Sequence, residues 1–239
     1  MLLDISQVSQ VKNYGHFCPA KSADPEKDAE FQSQSFAALR EALSIIQQGK
    51  MLGRVPAHRL QVGRKKLTNP MALICTDEDS QNSILDTVAL HQSLVETIGE
   101  KKTASFWIKM MQEKTGSLIL ADFFPLAEDF LQFEDPFAAL SAYMIEYFAA
   151  NERAGLFKTK VIENSKDEFR VDVVDCCFHQ SASELGHPKL YYYISRGDEV
   201  FFPRMCTPVE GKPFAVYERQ GCLCGGDQSC DWRYHRYKD

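Results

Sequence analysis

The stretch Phe157-Lys158-Thr159-Lys160-Val161-Ile162-Glu163, then Asn164-Ser165-Lys166-Asp167, then Phe169-Arg170-Val171-Asp172-Val173-Val174 decides the fold. Two short β-branched runs flank four turn-forming residues, which is the pattern of an antiparallel hairpin. Everything before it reads as helix and everything after it as mixed. Upstream, Asp24-Pro25-Glu26 supplies a helix start, with a capping Asp, Pro at the first helical position and Glu in the first turn. Phe36, Leu39, Leu43 and Ile46 follow at helical spacing, and Gly49 reads as the stop. A second helix is expected through Ile84, Val88, His91, Val95 and Ile98 to Gly99, and a third over Thr103 to Glu113. Ser117 to Phe133 reads as helical and bent near Pro125. Asp135-Pro136 repeats the start signal, with Phe137, Leu140, Met144, Ile145 and Phe148 as its apolar stripe.

Downstream of the hairpin, Cys176 to Leu185 is expected as helix, ending at Gly186-His187-Pro188, and Leu190 to Ile194 as strand or helix. Phe214 to Arg219 and Cys230 to Tyr237 alternate as strands do, joined through the glycine-rich loop Cys222 to Ser229. The fold class that follows is α+β. A helical part over residues 1–155 packs on a small antiparallel sheet with flanking helices over residues 156–239.

Composition narrows the function. A net charge of -6 gives no electrostatic reason to expect nucleic acid or an anionic membrane as partner. The N-terminus Met1-Leu2-Leu3-Asp4-Ile5 is too interrupted for a signal peptide, and no apolar run has the length of a membrane span. The expectation is a cytoplasmic chain with reduced thiols, acting on a small molecule, its oligomeric state open. The basic segment Gly53 to Lys66 has neither interleaved aromatics nor a second stripe, and reads as a solvated inter-helix loop.

Six of the eight cysteines lie beyond residue 175. In a helix, Cys176 and His179 share a face, as a thiolate–imidazole pair or as two ligands of a soft metal. Glu184 stands two turns further on that side, as general base or ligand, and Asp198 is a second carboxylate candidate. Each of these residues has a bland alternative, as a buried thiol or a turn carboxylate. Around Gly225-Gly226 the backbone can fold tightly enough to gather Cys222, Cys224 and Cys230. Those three are the candidate metal set, although zinc sites favour paired C-x2-4-C spacing. A fourth ligand would have to come from Cys176, His179, His187 or Cys206.

The series Val174-x-Cys176-x-Phe178, Glu184-Leu185-Gly186-x-Pro188-x-Leu190, Asp198, Arg219, Gly226, Cys230-Asp231-Trp232-Arg233-Tyr234 resembles the L-2-amino-thiazoline-4-carboxylic acid hydrolase family. The ending from Cys222 through Gly226 and Cys230 to Trp232 is also similar to 4-vinyl-reductase-type domains. The resemblance spans residues 157 to 237. Three features depart from it: Ser195 stands where a Cys is expected, Trp232 replaces Phe, and Cys222 and Cys224 add thiols. What it implies is hydrolytic opening of a small ring at a C=N carbon. In that reading Cys176 with His179, or a divalent metal (zinc or manganese), supplies the attacking group, and Glu184 or Asp198 moves the proton. Arg219 and Gly226 bind substrate, with the Arg219 fork on its carboxylate. An iron–sulfur cluster or pigment, and a non-catalytic small-ligand or metal-binding module of tetrapyrrole metabolism, remain open alternatives.

Overall fold

The computed structural model describes residues 5–15, 25–69, 78–115 and 124–238. The N-terminal part is helical: α1 (Ile5–Val8), α2 (Pro25–Ala42), α3 (Ile45–Gly63), α4 (Glu78–Ile98), α5 (Glu100–Lys109), α6 (Ala127–Phe130) and α7 (Pro136–Arg153). Then come β1 (Phe157–Asn164), β2 (Glu168–Cys176), α8 (Cys177–Glu184), α9 (Leu190–Ile194), α10 (Asp198–Cys206), β3 (Ala215–Glu218) and β4 (Cys230–Arg236). The four strands form one antiparallel sheet in the order β1-β2-β4-β3. The fold is mixed α+β, with helices first and the sheet and its helices after.

Register follows the alternation of side chains. On β2, Phe169, Val171 and Val173 point into the core while Arg170 and Asp172 face outward. Val171 stands opposite Trp232 on β4, and Tyr217 of β3 opposite Tyr234. β1 is an edge strand, largely exposed, and its pairing to β2 is irregular between Lys158 and Thr159 and again between Val161 and Glu163.

Helix α7 lies buried along most of its length, and it starts as expected: Asp135 Oδ1 accepts from the Ala138 N–H at 3.1 Å, with Pro136 next. Phe148 of α7 and Phe202 of α10 both meet the Trp232 ring, at centroid separations of 5.2 and 4.3 Å. Tyr234 donates its hydroxyl toward Met144 Sδ at 3.8 Å. One continuous apolar cluster thus runs from the N-terminal helices, through α7, to the sheet.

Four expectations change. The helix from Pro25 does not run on to Gly49: it ends at Ala42, and α3 begins two residues after Leu43. Ser44 is the reason. Its Oγ accepts from the Gln47 N–H at 3.4 Å and Gln47 Oε1 accepts from the Ser44 N–H at 2.9 Å, a reciprocal cap that restarts the helix. The basic segment is therefore helix as far as Gly63, the second half of α3, where Arg59 pairs with Asp86 and Arg54 and His58 with Glu96 of α4, while Arg64 to Lys66 follow the helix end as expected of a loop. The third helix begins at Glu100, closer to Gly99 than expected, and passes into a π-helical turn over Met110–Thr115. Leu190 to Ile194, left open, is helix. Residues 117–123 of the expected bent helix, with the Asp24 cap and Cys18 and Cys75, lie outside the described residues.

His91 of α4 is buried, and its Nδ1 accepts from Trp107 Nε1 of α5 at 3.1 Å. Burial first, and the neighbouring His187 second, hold the His91 imidazole down at about 4. The folded protein therefore resists a proton that the unfolded chain accepts near 6.5, so stability present above that pH is lost as pH falls toward 4. The loss attributable to His91 should be on the order of 2 to 3 kcal/mol. His91→Gln, which keeps an acceptor without titrating, should flatten urea-unfolding stability between pH 6.5 and 4.5 relative to the native chain. An equal slope in both proteins would contradict this account.

Candidate thiol cleft

The loop between β3 and β4 is held by two carboxylates. Asp231, buried at the start of β4, accepts from the backbone N–H groups of Gln220, at 2.9 Å, and Gly221, and its other oxygen pairs with Arg233 at 3.0 Å. Asp227 Oδ2 accepts from the Cys222 N–H at 2.8 Å. Only glycine fits at 221, because a Cβ there would lie 2.8 Å from the Ser229 carbonyl oxygen. Gly226 adopts φ 103, closing the short turn Leu223–Gly225 with its N–H on the Leu223 carbonyl.

This folding gathers the three loop sulfurs, as the sequence suggested. Cys222 Sγ lies 3.9 Å from Cys230 Sγ and 3.7 Å from Ser195 Oγ, and the Cys224 thiol is near enough to bear on its ionisation. Cys230 Sγ in turn accepts from the Leu223 N–H at 3.2 Å. The Cys224 and Cys230 thiols, with Ser195 and the Arg219 guanidinium, pull the Cys222 thiol far below its ordinary value against the opposing effect of burial. Cys224 and Cys230, as the donors, are pushed up. Of the three thiols, Cys222 is the one favoured toward its anion.

Arg219, at the end of β3, is almost fully buried. It donates to the Ser195 carbonyl at 2.9 Å and forms an ion pair with Asp198, the first residue of α10. Burial pushes the Asp198 carboxyl up to about 7 against the pull of Arg219. Burial also works to lower Arg219, but the Asp198 charge outweighs it and the guanidinium stays protonated.

The cluster opens on a cleft of about 440 Å³. Cys222, Cys224 and Gly225 form one wall, with Asp227 near them, and Tyr192, Lys189, Arg196 and Glu199 belong to the helical side. Arg196 pairs with Glu199 at 2.5 Å and stands over the Tyr192 ring at 5.9 Å.

The other expected site residues fall differently. Cys176 is the last residue of β2 and the cap of α8, with extended backbone (φ -145, ψ 120), so the helical spacing that would align it with His179 does not apply. Burial pushes its thiol up to about 12, the wrong direction for a nucleophile. Its sulfur is close enough to bear electrostatically on Cys224 and Cys230, but Cys176 is not among the residues that line the cleft. Among the described residues no hydrogen bond joins Cys176 to the His179 imidazole, whose Nδ1 is buried without a partner. Glu184 is turned to the helical part, where its carboxylate takes the Thr68 N–H at 2.9 Å and the Thr68 hydroxyl at 3.1 Å. The Thr68 backbone holds it below the usual carboxylate range. Glu184 and His179 are not on the cleft wall, and neither is Gly226, whose role is conformational. Arg219 does line the cleft, but its donors are engaged by Asp198 and Ser195. Among the described residues no group of three or more His, Cys, Asp and Glu side chains is arranged to hold a metal ion. No described helix is long and apolar enough to cross a membrane.

Tyr192, Lys189 and Arg196 escaped the sequence reading. Their only signal is the run Lys189 to Arg196 directly before Asp198, which reads as a short element and not as a site.

Asp198→Asn should leave Arg219 as an uncompensated buried charge and cost about 3 kcal/mol in urea unfolding. Adding Arg219→Met to that variant should return part of the loss, since both charges are then gone. If Asp198→Asn unfolds at the native midpoint, the pair does not hold the site together.

Comparison with known families, with curated proteins and with solved structures returned no match.

Proposed function

We propose that the chain is a small-molecule hydrolase in which the Cys222 thiolate attacks the polarised carbon of a small cyclic C=N or amide-type substrate. The observation that supports it most is the position of Cys222: a thiol drawn toward its anion by Cys224, Cys230, Ser195 and Arg219, at the wall of a cleft of about 440 Å³. That volume lies in the range of small-ligand pockets. A hydrogen-bonded thiolate is the reactive form of cysteine.

In this reading the S–C bond forms as the C=N electrons move to nitrogen, and that nitrogen takes a proton. Cys224, on the cleft wall and pushed toward its protonated form, is the thiol donor assigned to that step. The bond from that carbon to its other ring heteroatom then breaks, the heteroatom leaves with a proton and the ring opens on the enzyme sulfur. Water adds to the same carbon, Asp227 or Glu199, the carboxylates on the cleft wall, accept its proton, and the C–S bond to Cys222 breaks to return the thiolate. Lys189 and Arg196 are the cations placed to meet an anionic substituent, the part first assigned to Arg219. The resemblance to thiazoline-carboxylate hydrolases supports the substrate class, and the thiol cleft supports the chemistry.

A second reading, a small-ligand-binding module without turnover, is favoured by one feature. None of the hydrogen bonds at the Cys222 sulfur comes from an imidazole or a carboxylate, so no general base stands directly on the nucleophile.

A panel of cyclic amidines, thiazoline carboxylates and hydantoins separates the two. The hydrolase reading expects ring opening by the native chain, a fall of about a hundredfold or more in kcat with Cys222→Ser, and normal turnover with Cys176→Ala. Saturable binding without product formation across the panel would favour the module instead. Elemental analysis belongs to the same experiment: stoichiometric bound metal would count against the free thiolate on which the hydrolase reading rests.

A further inference from the structure

We propose that Cys222 and Cys230 form a peroxide-oxidisable pair that closes into a disulfide across the cleft loop. Three observations beyond the hydrolase reading lead to it. The two sulfurs stand 3.9 Å apart, already in contact, and are separated by only seven residues of chain. Cys222 is largely buried but is among the residues that line the cleft, the route by which an oxidant as small as hydrogen peroxide or an alkyl hydroperoxide approaches its sulfur. The intervening segment holds Gly225 and Gly226, the latter in a left-handed conformation that closes the turn.

The chemistry needs no group beyond the peroxide. The Cys222 sulfur attacks one peroxide oxygen, the O–O bond breaks, and the other oxygen leaves as hydroxide or alkoxide. Sulfur is thereby oxidised to sulfenic acid and the peroxide reduced to water or alcohol. The Cys230 sulfur then attacks the Cys222 sulfur. The S–O bond breaks, the S–S bond forms, and the hydroxyl leaves as water with the Cys230 proton. Closing from 3.9 Å to a bond of about 2.05 Å asks for side-chain rotation toward one another. The Leu223 N–H, which now binds the Cys230 sulfur, gives up that contact or follows it.

Ser195 and Cys224 define what the pair is not. The hydroxyl 3.7 Å from Cys222 on its other side cannot form a disulfide, so resolution is left to the two neighbouring thiols. Of these, Cys230 opens a strand whose backbone is fixed by pairing to β2, where it stands opposite Val173. Cys224 lies within the turn itself, two residues from Cys222, where a disulfide would have to span a C-x-C. The C-x-C ring is short and strained, and the strand-borne thiol is the better resolving partner.

The test is chemical and does not depend on the substrate. The full-length reduced protein is treated with one equivalent of hydrogen peroxide, quenched, and its free thiols alkylated. It is then reduced, and the released thiols are marked with a second tag. The expected result is the second tag on Cys222 and Cys230 and the first on Cys224, within the single tryptic fragment Gln220 to Arg233. Cys224→Ser should keep this pattern. Cys230→Ser should lose it and leave a dimedone-reactive sulfenic acid at Cys222. Three outcomes would overturn the proposal: Cys222 remaining reduced at equimolar peroxide, a released pair of Cys222 and Cys224, or an unlinked sulfenic acid in the native chain. Because the readout is the site of the tags, it stands or falls apart from any hydrolase activity.

Discussion

The site depends on one buried ion pair. Arg219 ends β3, and its guanidinium joins Asp198 at the start of α10 to the Ser195 carbonyl just before it. That clamp ties the turn Ser195–Gly197 to the strand end that leads into the β3–β4 loop, where the Ser195 hydroxyl stands beside Cys222. The same charge also bears on the chemistry, because Arg219 is among the groups that draw Cys222 toward its anion. A buried pair is a weak source of net stability, since desolvation offsets much of the attraction. Its value here is in positioning: it binds a strand end, a helix start and a cysteine loop into one arrangement.

Much of this architecture was legible in the sequence because it is written in local rules. The Asp135-Pro136 start, the Asn164 to Asp167 turn and the alternation of Trp232 and Tyr234 are short-range signals, and each sits where it was read. The gathering of Cys222, Cys224 and Cys230 by a glycine-rich turn was legible for the same reason. The boundary between α2 and α3 was misread because two strong signals compete there. An apolar stripe continuing to Ile46 argued for one helix, while the reciprocal cap of Ser44 and Gln47 breaks it, and Ile45 and Ile46 are left exposed. A cap satisfies backbone donors directly, whereas a stripe matters only if something covers it.

The site residues were less legible, and Cys176 shows why. Its alignment with His179 and Glu184 assumed a helix that already included position 176. One residue of boundary decides the question, and the residue proved to be extended. Nor can spacing say which of several thiols carries the charge. That follows from how the sulfurs and their neighbours are disposed in three dimensions: Cys230 gives its thiol hydrogen to Cys222, and Ser195, Cys224 and Arg219 also stand near that sulfur. Arg219 lines the cleft, but its donors are taken by Asp198, itself among the candidates, and by the Ser195 carbonyl, a pairing that spacing along the chain does not reveal.

The two irregularities in the pairing of β1 have a consequence outside the cleft. A sheet that ends in a regular strand offers its row of free amides and carbonyls to any similar edge it meets. Here the outermost strand is interrupted twice, next to Lys158 and Glu163, and no long uniform ladder remains to template another chain. Such an edge is a poorer template for strand addition, even though Val161 and Ile162 stand in water on it.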